Sequence, residues 1–253
     1  MPSLPYALQL YSVRDYMEQD PKATLPKIKE MGYDHVELAG TYGQSAAEFK
    51  ALLDATGLKP ISMHCGYEEL AGNLDKVIQD AKTLGIQYVV VPWLGSEVCP
   101  DKEAWLIAIQ HMDKAGAQLR REELQLCYHN HDHEFERFDG QYIFDMIYSN
   151  TSPENLAVEL DTCWSTFGGA DTLALMKAYG TRVPLLHVKD YVRGDDDSAV
   201  FKELGRGCMN WDPIFEAAKA CNVQWYVVEQ DETDGDSLES AAISAQFMAK
   251  RQA

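Results

Sequence analysis

The sequence predicts a single α/β domain over residues 1–253, closed as a (β/α)8 barrel of the TIM type. Three observations carry that expectation. Short apolar, β-branched or aromatic runs recur eight times, each followed by a longer amphipathic stretch. The length of 253 residues matches such a barrel, about 250 residues. No Pro/Gly/Ser-rich linker divides the chain, and no GxGxxG follows the first run, where an open dinucleotide-binding sheet would carry it.

The elements follow in order. Tyr6–Val13 is the first strand. Asp20 and Pro21, a cap residue and a proline at the first helical position, predict a helix from Asp20 to Met31. His35–Ala39 is the second strand, and the helix Ser45–Thr56 after it ends at Gly57. Pro60–Cys65 precedes the helix Leu74–Leu84, which ends at Gly85, and Tyr88–Trp93 precedes the longest helix, Asp101–Glu123. Leu124–His131, Leu156–Trp164, Val183–Tyr191 and Trp225–Gln230 complete the strands. Their helices are Tyr142–Ser149, Asp171–Tyr179, Asp212–Cys221 and Ser237–Arg251. Leu204-Gly205-Arg206-Gly207-Cys208 comes after the seventh strand and reads as a loop.

Hydrophobic residues make up 46% and charged residues 25%, the composition of an ordinary soluble globular protein. The formal net charge of −18 repels phosphate backbones and anionic lipid heads, so neither nucleic acid nor a membrane surface is expected as a partner. The six cysteines form no CxxC pair, and the N-terminus has no leader pattern, so a cytoplasmic protein with reduced thiols is expected.

In this architecture chemistry sits at the C-terminal ends of the strands. Those ends hold Glu37, then His64, then His129-Asn130-His131-Asp132-His133-Glu134, then Glu159-Leu160-Asp161, then His187-Val188-Lys189-Asp190, then Glu229-Gln230-Asp231. Five of the seven histidines fall there: His64, His129, His131, His133 and His187. Strand alternation puts His129 and His131 on one face and Asn130 on the other. A lone strand-end histidine is usually a hydrogen-bonded structural residue, and Asp132, Asp190 and Asp231 read equally well as caps. The joint pattern is harder to explain that way. Glu37, Asp161 and Glu229 lie within apolar strands, where an unpaired charge costs several kcal/mol, so each needs a cation or a donor. Mixed histidine and carboxylate donors suit Mn, Zn, Co or Fe ions better than calcium.

At these residues the sequence resembles the xylose isomerase-like TIM-barrel superfamily, its sugar phosphate isomerase/epimerase group. The resemblance runs through Leu8-Gln9-Leu10-Tyr11-Ser12-Val13-Arg14, Gly32-Tyr33-Asp34-His35-Val36-Glu37, Tyr128-His129-Asn130-His131-Asp132, Leu160-Asp161-Thr162, Leu186-His187-Val188-Lys189-Asp190, Gly205-Arg206-Gly207 and Val228-Glu229-Gln230-Asp231. It implies one divalent metal (Mn, Co, Zn or Mg) held by a strand-five residue with Asp161, His187 and Glu229. Many relatives carry Glu-Asn-His where this chain has His129-Asn130-His131, so the glutamate position falls on His129. That departure resembles the inosose dehydratase-like branch, and it leaves open whether His129 or His131 is the strand-five ligand.

The resemblance further implies a carbohydrate substrate bound through a carbonyl and a neighbouring hydroxyl. Glu229 or His129 would take the adjacent proton, giving isomerisation or epimerisation of a keto sugar. Dehydration or elimination on a keto-inositol or 3-keto-glycoside is the alternative. Glu37, His64, His131 and Lys189 would orient hydroxyls or stabilise developing charge, although Lys189 could instead pair with Asp190 or Asp161. Trp93, Trp164 and Trp211 are candidate walls for a sugar ring or ordinary core residues. Arg206, between two glycines, could reach an anion or simply need a flexible loop. A homo-oligomer stays open. A DNA-repair endonuclease of the same superfamily would need a basic surface that the −18 charge denies.

Overall fold

The computed structural model describes residues 4–252. Its eight parallel strands are β1 (Tyr6–Gln9), β2 (His35–Leu38), β3 (Lys59–His64), β4 (Tyr88–Val91), β5 (Gln125–His129), β6 (Leu156–Asp161), β7 (Leu185–Val188) and β8 (Trp225–Val228). They close in sequence order, β8 pairing with both β7 and β1, so the expected (β/α)8 barrel is what forms. Each expected helix is present, from Pro21–Glu30 to Ser237–Gln252. Ser45 and Glu48 form a reciprocal capping box, and Gly57 and Gly85 end their helices in the left-handed region at φ 73° and 74°.

Several predicted runs overshoot their strands for local reasons. After β1, Leu10–Val13 turns into a 3-10 helix because the Gln9 side chain accepts from Tyr11 N at 3.0 Å. After β6, Asp161 caps a short helix, Thr162–Phe167, by accepting from Trp164 N at 2.8 Å. After β7 the chain leaves the barrel, and Asp190–Arg193 pairs antiparallel with Ala199–Lys202. No helix among the described residues is long and apolar enough to cross a membrane.

Strand alternation separates two environments. Leu8, Val36, Leu126, Val158, Leu186 and Val228 face the surrounding helices in the main core. Ala7, Ile61, Tyr88, Cys127, Leu185 and Val227 form a smaller apolar cluster inside the barrel. Two residues further along several of these strands, the inward position becomes polar: Gln9, His129, His187 and Glu229, all buried. The apolar plug thus fills the base, and the polar residues lie above it toward the C-terminal mouth.

Candidate metal centre

Within that polar layer, β6 supplies Glu159 and Asp161, the end of β7 supplies His187 and Lys189, and β8 leads into Glu229. Glu37, Glu159, Asp161, His187 and Lys189 are fully buried, and His129 and Glu229 are nearly so. Backbone contacts fix the strand ends. Asn130, turned away from its histidine neighbours, accepts from Asp161 N at 3.0 Å, and Thr162 donates to the His187 carbonyl at 2.9 Å.

Two overlapping donor groups result. One ligand atom from each of His129, Asp161, His187 and Glu229 lies within 4.8 Å of the others, and so does one from each of His64, His129, Glu159 and His187. In the first group His187 Nδ1 is 3.0 Å from Glu229 Oε2, and His129 Nε2 is 3.8 Å from Asp161 Oδ2. Lys189 Nζ lies 3.0 Å from Asp161, 2.8 Å from Glu229 and 2.7 Å from Asp231. It makes no ion pair with Asp190, whose carboxylate instead accepts from Gly205 N, Met209 N and Trp211 Nε1 and so shapes the following loop.

The charges explain the titration behaviour. Burial lowers the His129 pKa well below the imidazole range, and His187 and His131 add to the effect. Burial also works against a charged His64, but Glu37 and Glu159 outweigh it and push the ring up to about 10. Burial and then the charge of Glu37 raise Glu159. Lys189 is held well above its usual range because Asp161, Asp231 and Glu229 overcome its desolvation.

The residues present fit a divalent cation. Five carboxylates, Glu37, Glu159, Asp161, Glu229 and Asp231, converge on Lys189 and three imidazoles. Glu159 Oε1 is buried without a hydrogen-bond partner, and Asp161 Oδ2 has none beyond its ion pair with Lys189. A mixed nitrogen and oxygen donor set of this kind matches zinc, manganese or cobalt.

Above the centre lies a cavity of about 500 Å3, lined by Tyr11, Arg14, His64, Trp93, His129, His131 and Glu229 among others. Trp93 is 46% exposed, so it is not a core residue; its ring meets His131 at 4.8 Å between centroids. Trp211, by contrast, is buried against Asp190 and belongs to the core, while Trp164 is half-buried beside His131. The nine residues given metal, catalytic or substrate roles from the sequence (Glu37, His64, Trp93, His129, His131, Asp161, His187, Lys189 and Glu229) lie together at this one mouth. His133 does not line the cavity; its ring packs behind Trp93 at 4.5 Å between centroids, and its Nε2 is 3.0 Å from the Leu94 carbonyl. Arg206 is on the surface, 3.4 Å from Glu203.

Sequence reasoning passed over Glu159, Asp231 and Gln9 as site residues. Glu159 had a usable signal, since it sits two positions before Asp161 and therefore on the same strand face. Gln9, a lone polar residue between Leu8 and Leu10, donates to Glu37 at 2.7 Å.

A closed barrel whose C-terminal mouth gathers histidine and carboxylate donors beneath an open cavity is the architecture of a (β/α)8 enzyme with a metal-ligand type of site. The chain belongs to the xylose isomerase-like TIM-barrel family, whose model matches residues 25–251. Among curated proteins it is similar to an inosose dehydratase from Geobacillus kaustophilus, 22% identical over 86% of this chain and 82% of the relative. Among solved structures it shares the fold of a sugar phosphate isomerase/epimerase from Parabacteroides distasonis, with TM-score 0.85 and 23% identity over 98% of both chains. It also shares the fold of the IolI protein, solved with a zinc atom, with TM-score 0.77 and 15% identity over 98% of this chain and 97% of that one.

Proposed function

We propose that this protein is a divalent-metal enzyme that removes a proton beside the carbonyl of a keto carbohydrate and then expels a β-hydroxyl, a dehydratase acting on a keto-inositol or related keto sugar. The observation that carries this reading is the buried quartet His129, Asp161, His187 and Glu229 at the floor of the open cavity. The similarity to inosose dehydratases supports the choice of dehydration.

His129, Asp161, His187 and Glu229 would hold the ion. Bound there, it supplies Lewis acidity to a carbonyl and its neighbouring hydroxyl. The chain's own groups do the rest. His129 has its Nδ1 against Glu159 and its Nε2 toward Asp161, so we assign it to ligation rather than proton transfer. Glu229 lines the cavity and is the base we assign. His64, kept protonated by Glu37 and Glu159, also lines the cavity and can donate to the departing hydroxyl. His131 and Trp93 form one wall for the carbohydrate ring.

Isomerisation or epimerisation is the second reading and shares the first step. It is favoured by Glu229 and His131 lining the cavity from β8 and β5, since two bases on different sides of a substrate can pass a proton between faces. Incubation of metal-loaded protein with keto sugars and keto-inositols in deuterium oxide separates the readings. Dehydration gives an enone product with loss of water, whereas isomerisation gives deuterium uptake without it. Metal-dependent turnover of neither kind, with Asp161→Ala and Glu229→Ala binding metal as well as the parent, would remove the proposal.

A further inference from the structure

The proposed ion site does not use the buried acid Glu159 as a ligand. Glu159 is fully buried, does not line the cavity, and precedes Asp161 by two residues on β6. Successive inward positions on a strand are about 6.6 Å apart, so Glu159 lies a layer deeper than Asp161. Its Oε2 is 3.1 Å from His129 Nδ1 and 3.2 Å from both His187 Nε2 and His64 Nε2. Glu37 Oε1 joins it, 2.8 Å from His187 Nε2. The opposite nitrogens, His129 Nε2 and His187 Nδ1, face Asp161 and Glu229.

Two arrangements fit these distances. The deeper group could hold a second ion, or it could fix the rings that hold the first. Ring chemistry decides between them. A neutral imidazole has one N–H and one lone pair, so it ligates on one side only. Ions on both sides would require His129 and His187 each to lose a second proton. With one ion toward the mouth, the deeper nitrogens carry hydrogens that need acceptors, and the two carboxylates stand within reach of them.

We propose that Glu159 is a positioning residue: it accepts the Nδ1–H of His129 and, together with Glu37, the Nε2–H of His187, and so selects the tautomers that turn both lone pairs toward the ion. This rests on the metal reading above. Carboxylates that orient a ligating histidine typically contribute about 10–100-fold to metal affinity.

The test is zinc titration of the full chain, with nitrogen-15 NMR of labelled histidines in the zinc form. One zinc per chain is expected, with the proton on Nδ1 of His129 and on Nε2 of His187. Glu159→Gln, which keeps the volume, should weaken zinc binding about 10–100-fold at unchanged stoichiometry and unchanged circular dichroism. Two zinc ions per chain falling to one in Glu159→Gln would make Glu159 a ligand and overturn the proposal. So would the opposite tautomers in the parent protein, a measurement that needs no variant. So would zinc affinity unchanged in both Glu159→Gln and Glu159→Ala. A parent protein that takes up no zinc, manganese or cobalt at all would instead bring down the metal reading on which this one stands.

Discussion

Lys189 Nζ lies 2.8 Å from Glu229 Oε2, a cation and an anion both withdrawn from water at the centre of the barrel mouth. The same ammonium meets Asp161 and Asp231, so a single positive charge serves three carboxylates. Removing one partner of a buried pair costs about 3–5 kcal/mol because the other is left uncompensated. Lys189→Met should therefore destabilise the metal-free protein by about that amount in urea unfolding. Added zinc should restore part of the loss by supplying positive charge beside the same carboxylates. A loss below about 1 kcal/mol, the range of an exposed pair, would mean that water reaches the group.

Chelation should lower thermal stability as well as activity. An ion that binds only the folded chain stabilises it by about 2.7 kcal/mol at a hundred times its Kd. Unfolding midpoints measured with and without a strong chelator should differ accordingly. Asp161→Asn should abolish the difference. A chelator-insensitive midpoint in the parent would argue against resident metal.

Trp93 stands at the cavity rim, held by its Nε1 donating to Glu97 at 3.1 Å. Aromatic contacts of this kind are worth about 1 kcal/mol, or roughly fivefold in an equilibrium constant. Trp93→Ala should raise KM about fivefold and leave kcat nearly unchanged. A fall in kcat with KM unaltered would place the ring in the transition state rather than in substrate binding.

Gly116 tests the packing of the long helix Lys102–Arg121 onto β6. Gly to Ala inside a helix normally stabilises by about 0.5–1 kcal/mol. Here a Cβ would come 2.0 Å from the Asn155 carbonyl oxygen, which is backbone and cannot step aside. The steric term wins, so Gly116→Ala should destabilise by about 1–3 kcal/mol in urea unfolding. An unchanged or increased midpoint would mean that the helix shifts freely on the barrel.

The barrel was legible because its signals are long and repeated. Helices such as Ser45–Thr56 carry their own caps and period, and the strands are short runs rich in apolar, β-branched or aromatic residues. The elements that escaped are short. Arg14–Gln19, Tyr67–Gly72 and Thr162–Phe167 are too brief for a helical period to emerge, and two-residue ribbons such as Arg137–Phe138 with Gln141–Tyr142 follow from tertiary placement. In the site, residues ending strands announced themselves by position. Glu159 stands in the same strand-end run, but nothing in the sequence separates its role from that of Asp161. Asp190 looked like a solvated cap and proves to be buried, with its hydrogen bonds spent on a loop that has no sequence period to reveal it.

On the proposed ligand set, the histidine on β5 would also set the charge balance at the ion. Three carboxylates and one imidazole would leave a divalent ion with a net charge of minus one. Two carboxylates and two neutral imidazoles leave it at zero. An ion less fully neutralised by its own ligands withdraws electrons more strongly from whatever oxygen approaches next. On the proposed ligand set, His129 in the place of an acid would keep more electron-withdrawing power for a substrate, in a molecule whose formal charge is −18.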